Sequence, residues 1–271
     1  MYNPKYQKPL YNFPTPCIIY LALGNTTIFP KQKNLRDGGI MLTRQEIKAN
    51  AKAAMKQQWG TSIGALILFS IVLVVAVLIC VVFIFVNLTL YFLSLMAIVI
   101  LLAPPLVVGL DCVFTKIYRK EATGAGEMFS GFSGNYLRKV GGMLWLELFV
   151  LLWSLLFVIP GIIKGFSYSM IPFILADCPN VTARQAMKLS MRMTKGYKLD
   201  LFIMLLSFIG WNMLSAFTLG ILGLVFVNPY LYTTHAGYYN ELKKNAIESG
   251  TISAAEFGEE SAPVFESEFA N

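Results

Sequence analysis

The sequence has little of what catalytic and metal-binding proteins use. Its 271 residues include a single histidine, His235, and four cysteines that form no CxxC pair. Neither a zinc site nor a disulfide framework is therefore indicated. The chain also lacks the HExxH, Walker A and GxGxxG motifs of metal-dependent hydrolysis and nucleotide binding. These absences predict a protein that is not an enzyme and that needs no metal or other cofactor.

Charge is also scarce. Only 14% of the residues are charged and 56% are hydrophobic, whereas soluble domains carry about 25% charged residues. The 22 bases and 15 acids give a net charge of +7, and the bases flank long apolar runs. Such a distribution favours contact with anionic lipid headgroups over nucleic acid, which we do not expect as a partner. No protein partner can be read from the sequence.

Long uncharged runs dominate the middle of the chain. The 54 residues between Lys56 and Asp111 carry no charge, and about 20 residues are enough to cross the hydrocarbon core of a membrane. An apolar run that includes the charged residues Glu147 and Lys164 extends from Val140 to Asp177 and is broken at Pro160, and a further uncharged run extends from Leu201 to Asn240. Each run is long enough for a helical hairpin. The sequence predicts an all-α, polytopic membrane helix bundle with about six transmembrane helices and cytoplasmic amphipathic basic helices.

Positive charge predicts the orientation of these spans. Sixteen bases fall in four regions that six spans would place on one side of the membrane, and only Lys164 falls on the other side. Cytoplasmic loops of membrane proteins carry such an excess of Lys and Arg. We therefore expect both termini to be cytoplasmic.

Two basic amphipathic helices are predicted beside the spans. Thr43 and Thr182 each begin a capping box, and bases then recur every four residues. In the second helix, Arg184, Lys188 and Arg192 form a row that is a candidate membrane-surface anchor.

Three polar residues are candidate intramembrane sites: Glu147, Asn228 and His235. Charge inside a membrane is a functional hypothesis by default, and Glu147 is two turns inside its predicted span. Prolines also interrupt the second, fourth and sixth predicted spans at Pro104, Pro172 and Pro229, and helix breaks can line a transport site. A small-solute or lipid transporter, with Glu147, Asn228, Asn212 and Ser167 converging near the midplane, is therefore an alternative function.

The ends of the chain differ from the middle. Residues 1–40 contain several prolines and an apolar run too short to span a membrane, and we interpret them as a disordered leader or upstream extension. Residues 41–242 form the predicted membrane domain. Residues 243–271 are acidic and are predicted to be a disordered tail.

One long stretch resembles a known family. The run LWSLLFVIPGIIKGFSYSMIPFILADCPNVTARQAMKLSMRMTKGYKLDLF, with LSFIGW and NPY after it, resembles the bacterial family called domain of unknown function 975. TRQEIKANAKAAMKQQW is similar to the start of that family. The resemblance implies a multi-pass protein of the bacterial cytoplasmic membrane and supplies no catalytic residues. The leading hypothesis is a non-enzymatic envelope or assembly accessory of unknown molecular function.

Overall fold

Residues 41–258 are the part of the chain that the computed structural model describes. Within them the chain is helical and contains no β-strand, so the predicted all-α class is confirmed. Residues 1–40, the predicted leader, lie outside the described residues, as do residues 259–271. The α-helices are α1 (Arg44–Gln57), α2 (Trp59–Val82), α3 (Leu88–Ala97), α4 (Ala103–Tyr118), α5 (Tyr136–Leu156), α6 (Val158–Tyr168), α7 (Ile171–Asp177), α8 (Ala183–Met193), α9 (Lys198–Phe217) and α10 (Asn228–Glu248).

Both predicted capping boxes are confirmed. Thr43 begins α1, where the backbone N–H of Glu46 donates to Thr43 Oγ1 at 3.3 Å and Thr43 N donates to Glu46 Oε2 at 2.7 Å. Thr182 and Gln185 make the same reciprocal pair at the start of α8. These bonds satisfy N–H groups that the first helical turn leaves without partners.

Five helical segments of the described chain are long and apolar enough to cross a membrane. The predicted turn at Asn87 is confirmed, because its side-chain oxygen accepts a hydrogen bond from Thr89 N at 2.7 Å and starts α3. In the next hairpin the break lies at Phe157, three residues before the predicted position, and Pro160 falls in the first turn of α6. The five segments are Trp59–Phe85, Leu88–Tyr118, Tyr136–Leu156, Val158–Asp177 and Lys198–Phe217.

The sixth predicted span is helical but is not one of those five. It corresponds to a π-helix, Gly223–Val227, followed by α10. The first half of α10 carries hydroxyl groups that are buried in the protein, and each bonds to its own backbone: Thr233 Oγ1 donates to Pro229 O and Thr234 Oγ1 to Tyr230 O, both at 2.7 Å. A helix that contacts protein on most sides can be less apolar than one that faces lipid.

Each of the three predicted proline interruptions coincides with a departure from regular α-helix. A π-helix, Ile98–Leu102, ends two residues before Pro104, and the π-helix Gly223–Val227 ends two residues before Pro229. Near Pro172 the helix breaks, so that α6 ends at Tyr168 and α7 begins at Ile171. Proline has no N–H to donate to the preceding turn, which explains why the regular ladder stops there.

One end of the bundle is densely packed, and we call it the base: helices α1, α4, α7, α8 and α10 with the 3₁₀ segment Ala125–Gly131. Most of α4 is buried, and the 3₁₀ segment crosses it at backbone contact distance. A Cβ atom on Gly109 would lie 1.7 Å from Met128 O, and one on Gly131 would lie 1.7 Å from Pro105 O. Only glycine permits an approach this close.

The rest of each span is mostly apolar and exposed. We call residues 67–101, 145–164 and 209–225 the distal segments. Phe85 is 88% exposed, Leu155 83% and Leu219 94%. Soluble proteins rarely leave so much contiguous apolar surface uncovered, so these segments have the surface of a membrane protein.

The disordered tail was predicted to begin at residue 243, but the chain is ordered beyond that residue. Helix α10 continues to Glu248, and a 3₁₀ turn follows at Ala254–Phe257. Ile252 and Phe257 are 1% and 2% exposed. These two apolar side chains attach residues 249–258 to the base, although their acidic surroundings are typical of a disordered segment.

Candidate functional site

The strongest polar arrangement of the described chain surrounds Asp177, at the end of α7. The two terminal nitrogens of Arg119 donate to its two oxygens at 2.7 and 2.9 Å. Lys243 Nζ donates to Oδ2 at 2.7 Å, and the Tyr239 hydroxyl donates to the same oxygen at 2.8 Å. The three charged side chains are between 5% and 9% exposed. We call these four residues the Asp177 cluster.

The Asp177 cluster joins three separate segments of the base. Arg119 directly follows α4, Asp177 ends α7, and Lys243 lies on α10. Arg119 Nε also donates to Asn240 Oδ1 at 2.7 Å, and Lys243 Nζ lies 5.1 Å from the centre of the Phe257 ring. A carboxylate at a helix C-terminus is repelled by the negative end of the helix dipole. The positive charges of Arg119 and Lys243 offset this repulsion.

Arg138 satisfies the carbonyl groups at the same helix end. Its terminal nitrogens donate to Cys178 O at 3.0 Å, Val181 O at 2.6 Å and Leu175 O at 2.8 Å. Lys139, its neighbour on α5, donates to Ser130 O at the end of the 3₁₀ segment and to Ser133 O just beyond it. The bases thus replace the backbone partners that the ends of α7 and of the 3₁₀ segment lack.

The chemistry that the Asp177 cluster can perform is limited by its own bonding. Its carboxylate accepts four hydrogen bonds, and removing one partner of such a buried pair is strongly destabilising. Among the described residues, no three His, Cys, Asp or Glu side chains lie close enough together to hold a metal ion. This geometry serves to hold the ends of α4, α7 and α10 together.

A serine motif in the sequence, Gly60-Thr61-Ser62-Ile63-Gly64, has the GxSxG spacing of serine hydrolases. That motif works on a strand-to-helix turn, where the serine is exposed beside a histidine. Here Ser62 lies within α2, is 0% exposed, and donates to Gln58 O at 3.0 Å. Ser62 therefore does not lie on the strand-to-helix turn that exposes the nucleophilic serine of those enzymes.

The predicted surface row lies on the exposed face of α8. Arg184 and Lys188 are exposed, but Arg192 contacts the chain itself, with its Nη1 2.5 Å from Glu256 Oε2. The opposite, apolar face of α8 is buried in the protein. Ser190 Oγ on that face donates to Ser167 O at 2.8 Å. Protein packing holds this helix in place, and an anchoring role of the basic row remains a prediction.

The three candidate intramembrane residues are not brought together. Glu147 is exposed on α5. Asn228 is half-buried at the start of α10. His235 packs edge-on against Phe173, with ring centres 5.0 Å apart. In the described part of the chain these residues share no hydrogen bond.

The convergence that a midplane transport site needs is likewise not seen among the described residues. Ser167 is buried and its hydroxyl bonds to Ile163 O within its own helix. Asn212 is exposed on α9. Neither shares a hydrogen bond with Glu147 or Asn228 in residues 41–258.

The sequence pointed to the Asp177 cluster only in part. The sequence places Asp177 at the end of an apolar run that bases flank. Its partners Arg119 and Lys243 are 58 and 66 residues away, beyond the reach of helical spacing rules. The available signal was topological, because antiparallel spans place the ends of α4, α7 and α10 on one side.

Comparison with known proteins identifies a family. The model of the family described as Protein of unknown function (DUF975) matches residues 41–163 and 155–246. No curated protein and no solved structure matches the chain. The family match covers every helix described above from α1 to the greater part of α10, and the chain therefore belongs to the DUF975 family.

Proposed function

We propose that this protein is a non-enzymatic accessory of the bacterial cytoplasmic membrane, with its base on the cytoplasmic side and both termini in the cytoplasm. The observation that carries the proposal is the separation of polar and apolar residues. The buried charges of the base are used to hold the fold, whereas the distal segments expose apolar side chains without a polar cluster of their own. Such a molecule is built to reside in the membrane and to contact other components there.

The orientation is supported by the same separation. Arg119 and Lys243 belong to the base and Arg138 bonds to it, while Lys164 lies at the end of a distal segment, 5.1 Å from the ring centre of Trp153. Tryptophan is enriched at membrane interfaces, and a single lysine at this end against the many bases at the other end agrees with the positive-inside rule. Single cysteines in place of Asn87 and Leu219 should react with an impermeant thiol reagent added outside intact cells, above the background of the parent protein. Labelling only after the membrane is opened would contradict this orientation.

A transporter is the second candidate, favoured by one observation. The π-helices before Pro104 and Pro229 are irregular segments at corresponding places in two spans, and π-helical turns often occur at functional sites. Both prolines are nevertheless buried against protein in the base. The N–H groups that these prolines lack therefore account for the irregular turns without a transport site.

Complementation separates the two candidates. A bacterium lacking the protein would be tested for envelope defects, such as sensitivity to detergent, and then supplied with the wild type or with Glu147→Gln, Asn228→Ala or His235→Ala. An accessory role predicts that all three variants restore growth when present in equal amount. A transporter predicts that at least one fails. A deletion without any envelope defect would contradict the accessory proposal.

A further inference from the structure

A polar cleft opens at the edge of the base and is lined by none of the four residues of the Asp177 cluster. It has a volume of about 560 Å³ and lies between the start of α1, the first half of α9 and the middle of α10. Arg44, Lys48, Asp200, Ser207, Met204 and Tyr238 are among the side chains that line it.

The charges in the cleft leave a single positive excess. Arg44 Nε is 3.4 Å from Asp200 Oδ1, and both side chains are partly exposed. Lys48 Nζ contacts Ser207 Oγ and lies 4.5 Å from the centre of the Phe208 ring. Partial burial lowers the pKa of Lys48 from its ordinary value, because the ammonium form loses hydration. Two cations and one carboxylate would be neutralised by one monovalent anion.

An unused hydrogen-bond donor marks the same place. Tyr238 is 0% exposed, and its hydroxyl has no hydrogen-bond partner among the described residues. A buried polar group without a partner is destabilising, and in native proteins it calls for an explanation such as a ligand. Since Tyr238 lines the cleft, an acceptor bound there would satisfy it.

The cleft also has an apolar side. Met41, Ile203 and Met204 contribute to its lining. Lys198, the first residue of α9, begins one of the five candidate spans, so the cleft lies where a span enters the membrane. A ligand that suits both sides has an anionic head and an apolar body. Binding sites of this kind combine an apolar lining with a few placed polar groups.

We propose that the cleft binds the phosphodiester headgroup of a membrane phospholipid. Arg44 and Lys48 contact its phosphate oxygens, the Tyr238 hydroxyl donates to one of them, and Met204 and Ile203 contact the start of the acyl chains. The monovalent charge of a phosphodiester matches the single positive excess of the cleft. The proposal rests on the membrane location of the proposed function, and is independent of the accessory role.

Lipid binding to the purified full chain tests this directly. Native mass spectrometry of the delipidated protein in detergent would compare phosphatidylglycerol, diacylglycerol and free glycerol 3-phosphate. We expect phosphatidylglycerol to bind at least about tenfold more tightly than diacylglycerol, because only the phosphate can accept charged hydrogen bonds from the cleft. Glycerol 3-phosphate should bind weakly, since it lacks the apolar part. Equal binding of diacylglycerol, or binding of glycerol 3-phosphate as tight as that of the lipid, would overturn the proposal.

Variants locate the binding in the cleft. Lys48→Gln should weaken phosphatidylglycerol binding about tenfold, whereas Lys52→Gln, on the same helix with an exposed side chain, should leave it unchanged. Tyr238→Phe should weaken binding by a similar factor without lowering the melting temperature of the lipid-free protein, because the removed hydroxyl has no partner there. Unchanged affinity in Tyr238→Phe, or equal effects of Lys48→Gln and Lys52→Gln, would show that the lipid binds elsewhere.

Discussion

The base and the distal segments follow opposite rules although they belong to the same helices. In the base, Leu106 is 0% exposed and the Asp177 cluster is buried, whereas Leu155 in a distal segment is 83% exposed. Water would drive such apolar surface together, but lipid tails are as apolar as leucine and supply no such force. The difference indicates that packing at the base, rather than contact between the distal segments, holds the helices in register.

Breaking the Asp177 cluster should have the largest effect on stability. Asp177→Asn leaves Arg119 and Lys243 buried without their carboxylate, and the loss of one partner of a buried pair costs about 3–5 kcal/mol. The measurement is the free energy of unfolding in mild detergent. Glu248→Gln is the matched control, because the Glu248–Lys244 pair is 3.9 Å apart and about half exposed and such pairs contribute about 0–1 kcal/mol. Similar losses for both variants would contradict the structural role of the cluster.

Separating α4 from the 3₁₀ segment should come next. Gly109→Ala would place a methyl group 1.7 Å from Met128 O, and the required backbone shift costs about 1–3 kcal/mol or more. A Cβ atom added at Gly141 on α5 has no neighbour within 4 Å. The melting temperature of Gly141→Ala should therefore be unchanged or slightly higher. Equal melting temperatures of the two variants would contradict the close contact between α4 and the 3₁₀ segment.

The smallest expected effect concerns the attachment of residues 249–258 to α8. The hydrogen bond from Arg192 lowers the pKa of Glu256 from its ordinary value. A carboxyl group whose folded pKa is depressed stabilises above its unfolded pKa, about 4.3, and this contribution is lost as the pH falls through the lower folded value. A spin label at Ser253 should therefore become more mobile on acidification below about pH 4. Arg192→Gln should remove this step. If the mobility of the label rose equally on acidification in Arg192→Gln, another titrating group would control the attachment.

The basic row of α8 shows what sequence can and cannot predict. Periodicity and the Thr182 capping box correctly gave an amphipathic helix with Arg184, Lys188 and Arg192 on one face. An amphipathic pattern does not reveal whether the apolar face meets lipid or protein, and here Leu189 and Met193 on that face are buried in the protein. Residues close in sequence determine the helix, whereas distant ones determine what it packs against.

The same limit explains the other differences. The spans and the turn at Asn87 follow from local hydropathy and were predictable. The pairing of Asp177 with Lys243 depends on how three spans assemble, and the order of the tail depends on Phe257, which packs under Lys243. A single apolar residue in an acidic segment carries too weak a local signal to predict that contact.

A pair of matched leucine substitutions tests the central claim most directly. Leu106→Ala in α4 removes a fully buried side chain and should lower the free energy of unfolding in lipid-like detergent by about 2–5 kcal/mol. Leu155→Ala removes the same atoms from a distal segment and should change it by less than about 0.5 kcal/mol. Equal losses at the two positions would mean that the distal segments are packed against protein, and would contradict the division of the molecule into a packed base and lipid-facing spans.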